Sequence, residues 1–126
     1  MSRLLVFDTE TGGLDAARHS LLSMGLVALV EGKVTGELEL LVRHEPYVVT
    51  GGGLKVNRID LAAHHERALP PPEAAAALEA FCAEHLGSGP LTLVGHNIAF
   101  DRAFLGTFLA SVGRELEPRF SHRTVD

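Results

Sequence analysis

Residues 21–30, Leu-Leu-Ser-Met-Gly-Leu-Val-Ala-Leu-Val, form an almost unbroken apolar run, and Glu31-Gly32-Lys33 ends it. From Val34 to Val42 the character then alternates for much of the length, with Val34, Gly36, Leu38 and Leu40 opposite Thr35, Glu37 and Glu39. Two strand-like runs around a short polar turn are the pattern of an antiparallel hairpin, which commits the chain to a sheet. The first run predicts a strand covered on both faces. The second predicts a strand covered on one face only, and so nearer the sheet edge.

The other segments fit around this hairpin. Arg3 to Asp8 is a short apolar run of strand formers, and Thr9 to Gly13, with two glycines, predicts a sharp turn. Leu54 to Leu69, bracketed by Gly51-Gly52-Gly53 and Pro70-Pro71-Pro72, reads as a surface excursion with one helical turn. Pro72 opens a helix from about Glu73 to Leu86, in which Ala74, Leu78, Phe81, Cys82 and His85 keep helical spacing and Gly87 supplies the stop. Leu91 to Gly95 predicts another buried strand. Asn97 opens a second helix, with Phe104, Leu105, Phe108, Leu109 and Val112 on its apolar side and Gly113 at its end. Strand, hairpin, helix, strand and helix in this order describe an α/β domain with a mixed sheet.

With 126 residues, 46% of them hydrophobic, the chain can build one core, and residues 1–126 are read as one domain. No apolar run reaches the roughly 18 residues a bilayer requires, and Asp8 comes too early for a signal peptide. A soluble, cytoplasmic protein with no membrane partner is the expectation. The single cysteine, Cys82, excludes an internal disulfide and a multi-cysteine zinc site, and reads as a small core residue. A net charge of −5 disfavours extended duplex binding, which uses a basic face. A substrate held at one terminus, with divalent cations between protein carboxylates and phosphate, escapes that objection.

Asp8 and Glu10 stand two apart at a strand end, so an extended backbone sends both side chains to the same face. Carboxylates that close repel, and either one takes a proton or a cation settles between them. Hard ions such as Mg²⁺ and Mn²⁺ favour these oxygen ligands. Taken alone, the pair is also compatible with an ordinary strand end. Asp101 adds weight, because Phe104, Leu105, Phe108, Leu109 and Val112 lie three, four, seven, eight and eleven residues beyond it. A carboxylate thus heads a buried helical stripe, where an unpaired charge costs several kcal/mol and requires a cation or the helix amino terminus. Asn97 is a good N-cap type, its side chain able to accept a bond from a first-turn amide.

The chain carries seven histidines. His19, His44, His64, His65 and His85 read as surface or boundary residues. His96 flanks the candidate site, while His122, in a polar tail four residues before Asp126, reads as exposed rather than as half of an acid–base pair.

Phe7-Asp8-Thr9-Glu10-Thr11-Gly12-Gly13-Leu14 resembles the first motif of the DEDD superfamily of 3′-to-5′ exonucleases, and Gly95-His96-Asn97-Ile98-Ala99-Phe100-Asp101 is similar to the second. Leu54 to Asp60 also resembles the linker these enzymes place after the hairpin, so the likeness covers nearly the whole chain. The resemblance implies a ribonuclease H-like mixed β-sheet flanked by helices. It further implies two Mg²⁺ or Mn²⁺ ions around Asp8, Glu10 and Asp101, which would serve as catalytic residues, in hydrolysis of phosphodiester bonds from a DNA or RNA 3′ end. Thr9, Thr11, Gly12, Leu14, His96, Asn97 and Phe100 would contact the terminal nucleotide, the last by pressing on a base or sugar. The partner implied is a single-stranded DNA or RNA 3′ end or a short oligonucleotide, with a homodimer or a polymerase association as further expectations.

Three departures qualify the likeness. Gly12 stands where the family often has threonine, and Ser23 where several members have glutamate. The third motif, a general-base histidine followed five residues later by the fourth aspartate, has no counterpart, since His122 and Asp126 are four apart. The expectation is therefore an exonuclease domain lacking its C-terminal elements, with catalysis impaired, because such a base contributes roughly 10²- to 10⁴-fold. The alternatives are a non-catalytic nucleic-acid-binding or interaction module with the same fold, and an unrelated α/β domain.

Overall fold

The computed structural model describes residues 3–52 and 60–126. Its strands are β1 (Arg3–Thr11), β2 (Leu21–Val30), β3 (Lys33–Leu41), β4 (Leu91–Val94) and β5 (Phe120–Val125), and its helices are α1 (Leu61–Arg67), α2 (Pro71–Leu86) and α3 (Ile98–Ser111). The strands form a mixed sheet in the order β3-β2-β1-β4-β5. β1 pairs antiparallel with β2 and parallel with β4, and β5 adds to β4 in parallel. The sequence-based expectation of an α/β mixed sheet, with β3 at an edge, agrees with this arrangement.

One face of the sheet carries the core. Leu5 and Phe7 of β1 align across the strands with Ala28 and Leu26 of β2, and Met24 aligns with Leu40 of β3. These residues are buried together with Ala74, Leu78, Phe81 and Cys82 of α2 and with Phe104, Leu105, Phe108 and Leu109 of α3. Both helices therefore lie against the same face. That placement corrects one expectation: β2 is covered on one side along most of its length, and Gly25, Val27 and Leu29 on the other side are only partly buried. A bulge between Ala28 and Leu29 breaks the alternation in β3. Gly36, Leu38 and Leu40 keep to the core side, whereas Val34 is 58% exposed.

Helix limits follow local chemistry. α2 starts at Pro71, one turn position earlier than Pro72 suggests, because proline lacks the amide that a first turn leaves unbonded anyway. Gly87 closes it at a φ of 78°, where a side chain is strained. The excursion before α2 holds more than one turn, since Asp60 caps α1 by accepting from Ala62 N at 3.0 Å and Ala63 N at 3.3 Å. Its earlier part, residues 53–59, lies outside the described residues.

A segment read as a polar tail is structured. Residues 120–125 form the edge strand β5, with Phe120 in the core. The four residues after Phe120 have no apolar partner to signal a strand, and pairing with β4 supplies what the pattern lacks. His64 is 7% exposed, and its Nε2 lies 2.8 Å from the Val42 carbonyl oxygen; half-buried His44 places Nε2 2.6 Å from that of Leu21. His64 is thus a buried residue, whereas His44 keeps the boundary position expected of it. Among the described residues no helix is long and apolar enough to cross a membrane.

Candidate active site

β1 is longer than β4, and the site lies where they part. The last paired position is Val6 with Val94. Beyond it Gly95 turns the chain away so close to β1 that an added Cβ would lie 2.7 Å from the Phe7 carbonyl oxygen. The next amide of β1 on that side, Thr9 N–H, is left without a strand partner. Asp101 takes it: Oδ1 accepts from Thr9 N at 3.0 Å and from Thr9 Oγ1 at 2.5 Å. A carboxylate 4% exposed at the head of α3 thereby joins the second motif to the first.

On the sheet face turned away from the helices, β1 presents Leu4, Val6, Asp8 and Glu10. Asp8 aligns with Gly25 and Glu10 with Ser23 across β2. The two carboxylates share a face as their spacing predicts, although β1 continues as a strand to Thr11 instead of turning at Thr9. Burial raises the Glu10 pKa, and Asp8, Glu39 and Asp101 add to the rise. Burial likewise raises that of Asp101 against the bonds from Thr9, and Asp8 contributes to the rise. Asp8, Glu10 and Asp101 thus sense one another electrostatically, a local excess of negative charge that a cation would relieve. Among the described residues, however, no three His, Cys, Asp or Glu side chains are already gathered as a ligand set.

The flanking residues divide by role. Gly12 sits under the strap 48–50: its N–H donates to the Ser20 carbonyl at 2.8 Å, and its own carbonyl accepts from Thr50 N at 2.6 Å. An added Cβ would lie 2.6 Å from Val49 Cγ1. Thr11 is buried and its hydroxyl donates to the Gly13 carbonyl at 2.7 Å, so that hydroxyl is committed internally. Thr9 is committed in the same way to Asp101. Leu14, by contrast, is 85% exposed beside this loop. His96 and Asn97 are exposed, and Phe100 is half-buried with its ring 5.0 Å from that of Phe104.

Asn97 occupies the cap position, but by another means than the sequence suggests. Its backbone is left-handed, φ 53° and ψ 48°, and its side chain makes no capping bond. Asparagine tolerates that conformation better than most residues. Its N–H donates to Asp126 Oδ1 at 2.7 Å, which ties the end of β5 to the β4–α3 turn. Asp126 and His122 do not form a pair, since His122 Nδ1 lies 3.5 Å from Glu117 Oε1. Sequence reasoning missed Asp126 and Glu39 as neighbours of the site, because only strand pairing brings either near it.

Comparison with known proteins agrees with this geometry. No protein-family model matches the chain. DNA polymerase III PolC-type of Halalkalibacterium halodurans is 31% identical over 114 residues, 89% of this chain and 7% of that protein. E. coli exonuclease I in complex with a dT13 oligonucleotide superimposes with a TM-score of 0.82 at 15% identity, over 99% of this chain and 27% of that one. For an ExoI/SSB-Ct complex the TM-score is 0.84, again at 15% identity, over 100% of this chain and 28% of that one. The chain therefore spans well under a third of these relatives.

A mixed five-stranded sheet with acidic residues at the end of its central strand and at the head of the facing helix is the ribonuclease H-like exonuclease fold. The chain shares that fold with exonuclease I and is similar in sequence to a part of the PolC-type polymerase.

Proposed function

We propose that this chain is a 3′-to-5′ exonuclease domain that hydrolyses phosphodiester bonds at a single-stranded DNA end. The observation that carries the reading is the bond pair from Thr9 to buried Asp101, which brings a third carboxylate to the strand bearing Asp8 and Glu10. Oxygen-only donors of this kind suit Mg²⁺ or Mn²⁺, and Asp8, Glu10 and Asp101 would hold two such ions by rotating their side chains on fixed backbone positions. When bound, divalent cations would activate water and offset charge on the scissile phosphate. Thr9 keeps Asp101 directed at the site, and the strap over Gly12 fixes the loop that carries exposed Leu14 beside a terminal nucleotide. Exposed His96 and Asn97, with Phe100, would border the same nucleotide. The oligonucleotide named in the exonuclease I structure favours single-stranded DNA, and the PolC-type relative favours association with a polymerase.

A second reading, a nucleic-acid-binding module without catalysis, draws on the lack of a gathered ligand set among the described residues. One experiment separates the two. Single strands labelled at the 5′ end are incubated with the protein and Mn²⁺, in parallel with Asp8→Ala and Glu10→Ala. Exonuclease action gives a ladder shortening from the 3′ end that both variants abolish. Retarded but intact strands with all three proteins would establish the binding module and overturn the hydrolase reading.

A further inference from the structure

Resting on the proposed function, we infer that the single strand continues from the candidate site along helix α3 into a trough where Arg18 and then Arg43 hold its phosphates. The trough follows one stripe of the helix. Phe100 borders the site, and Phe104, Thr107, Phe108 and Ser111 lie four, seven, eight and eleven residues beyond it, on the same side of α3. Facing them, residues 16–21, which continue the loop that carries Leu14, close a hollow of 210 Å³. His44, Pro46 and Ser111 border both this hollow and a second one of 650 Å³, which runs past Arg43, Glu45 and prolines 70–72. The two hollows are therefore contiguous. Strand register explains why they adjoin the site: Thr11 aligns with Leu21 and Ser23 with Leu41, so β3 delivers the chain after Leu41 to the sheet end where β1 finishes.

Charge and hydrogen bonding decide what fits. The chain carries a net charge of −5, yet the walls of the two hollows hold two arginines against one carboxylate. That carboxylate, Glu45, lies 3.4 Å from His65 Nε2. Among the described residues neither guanidinium makes a hydrogen bond or an ion pair, and Arg43 Nε is the one buried side-chain nitrogen or oxygen without a partner. A covered N–H with no acceptor is costly, so the resting position of this side chain is a poor one. Turning the guanidinium edge onto a phosphate would replace it with two charge-assisted bonds. Pro46 and prolines 70–72 offer apolar surface to a sugar or base beside that phosphate.

Length sets which strands benefit. From Phe100 to Ser111 the helix advances about 16 Å, at about 1.5 Å per residue. That is the length of about five nucleotides in a stacked strand, at about 3.4 Å each. A longer strand reaches Arg43, and a dinucleotide held at the site does not.

Calorimetric titration of the intact chain with a twelve-nucleotide oligo-dT and with the dT dinucleotide tests this. Ca²⁺, whose looser coordination disfavours hydrolysis, replaces Mg²⁺ and Mn²⁺, and a gel checks strand length afterwards. Arg43→Gln should weaken the longer strand about tenfold, as loss of a charged hydrogen-bonding partner does. Arg18→Gln should weaken it several-fold. Each should also lower the slope of log affinity against log salt by about 0.7, one phosphate's share on a single strand. The dinucleotide should bind both variants as it binds the wild type. Lys33→Gln, which removes the same charge at the opposite end of the sheet, should change neither affinity, and circular dichroism checks that each variant is folded. Either arginine variant matching the wild type in long-strand affinity and salt slope would overturn the inference, and so would an equal loss for the dinucleotide. A hexaglutamate peptide whose binding depends on Arg43 while the strand's does not would also overturn it, assigning the second hollow to an acidic protein partner. A 3′ ladder with Mn²⁺ in any of these cases leaves the proposed function standing. A wild type that neither binds nor shortens a strand would overturn both.

Discussion

Replacing Asp101 separates its two opposing contributions to the fold. Its Oδ1 satisfies an amide that the divergence of β4 leaves without a strand partner, while its charge is opposed by burial and by Asp8. Asp101→Asn keeps an acceptor oxygen and removes the charge. Asp101→Ala removes both. Neither variant carries a charge, so the difference between them isolates the bonds from Thr9. A buried amide stripped of its partner costs about 1–3 kcal/mol, and we take about 2. For 126 residues, an unfolding entropy of roughly 2.1 cal/mol/K per residue makes each kcal/mol worth about 4 °C. In EDTA, Asp101→Ala should therefore melt about 8 °C below Asp101→Asn, and Asp101→Asn should melt at or above the wild type. Adding Mn²⁺ should reverse the second relation. At one hundred times the dissociation constant the wild type gains about 2.7 kcal/mol, or about 10 °C, and Asp101→Asn gains much less. Differential scanning calorimetry reads all of these. Equal melting of the Asn and Ala variants would refute the role given to Thr9, and an equal Mn²⁺ shift in wild type and Asp101→Asn would remove Asp101 from the ligands.

Other consequences are open to measurement. Gly12→Ala should cost about 1–3 kcal/mol in urea unfolding, since its Cβ would meet Val49 and the Val48 carbonyl; an unchanged midpoint would show that the strap yields freely. Burial pushes the Cys82 thiol up to about 12, so at pH 8 a thiol reagent should label the denatured chain and leave the native one unmodified over the same time. His44 has its pKa lowered below the usual 6.5, first by burial and further by His64, against the bond to Leu21. Protonation therefore favours the unfolded chain. Stability should be full above pH 6.5 and decline as the pH falls below it, and His44→Gln should flatten that slope in chemical denaturation.

Which parts of this protein could be read from residue order depends on how local their causes are. The hairpin, α2 and α3 follow from period and punctuation: alternating residues share a strand face, apolar residues three and four apart share a helix stripe, and glycine ends helices where φ is positive. Asp8 with Glu10 is legible for the same reason, as two residues on one strand face, and so is Asp101 at the head of an apolar stripe. Strand β5 is not, because its residues after Phe120 carry no pattern and are held by pairing with β4. Nor is His64, whose burial follows from a carbonyl of the chain just past β3 coming within reach of its ring.

The structure alone decides how the acidic residues are joined. Sequence places a carboxylate on α3, yet only the parting of β4 from β1 at Gly95 frees the Thr9 amide that fixes it. It places Glu39 on an alternating strand, yet only the register through side-chain-free Gly25 sets it facing Asp8. Contacts within one element are dictated by the chain's own geometry; contacts between elements depend on where separate strands start, stop and align, and tertiary packing settles that.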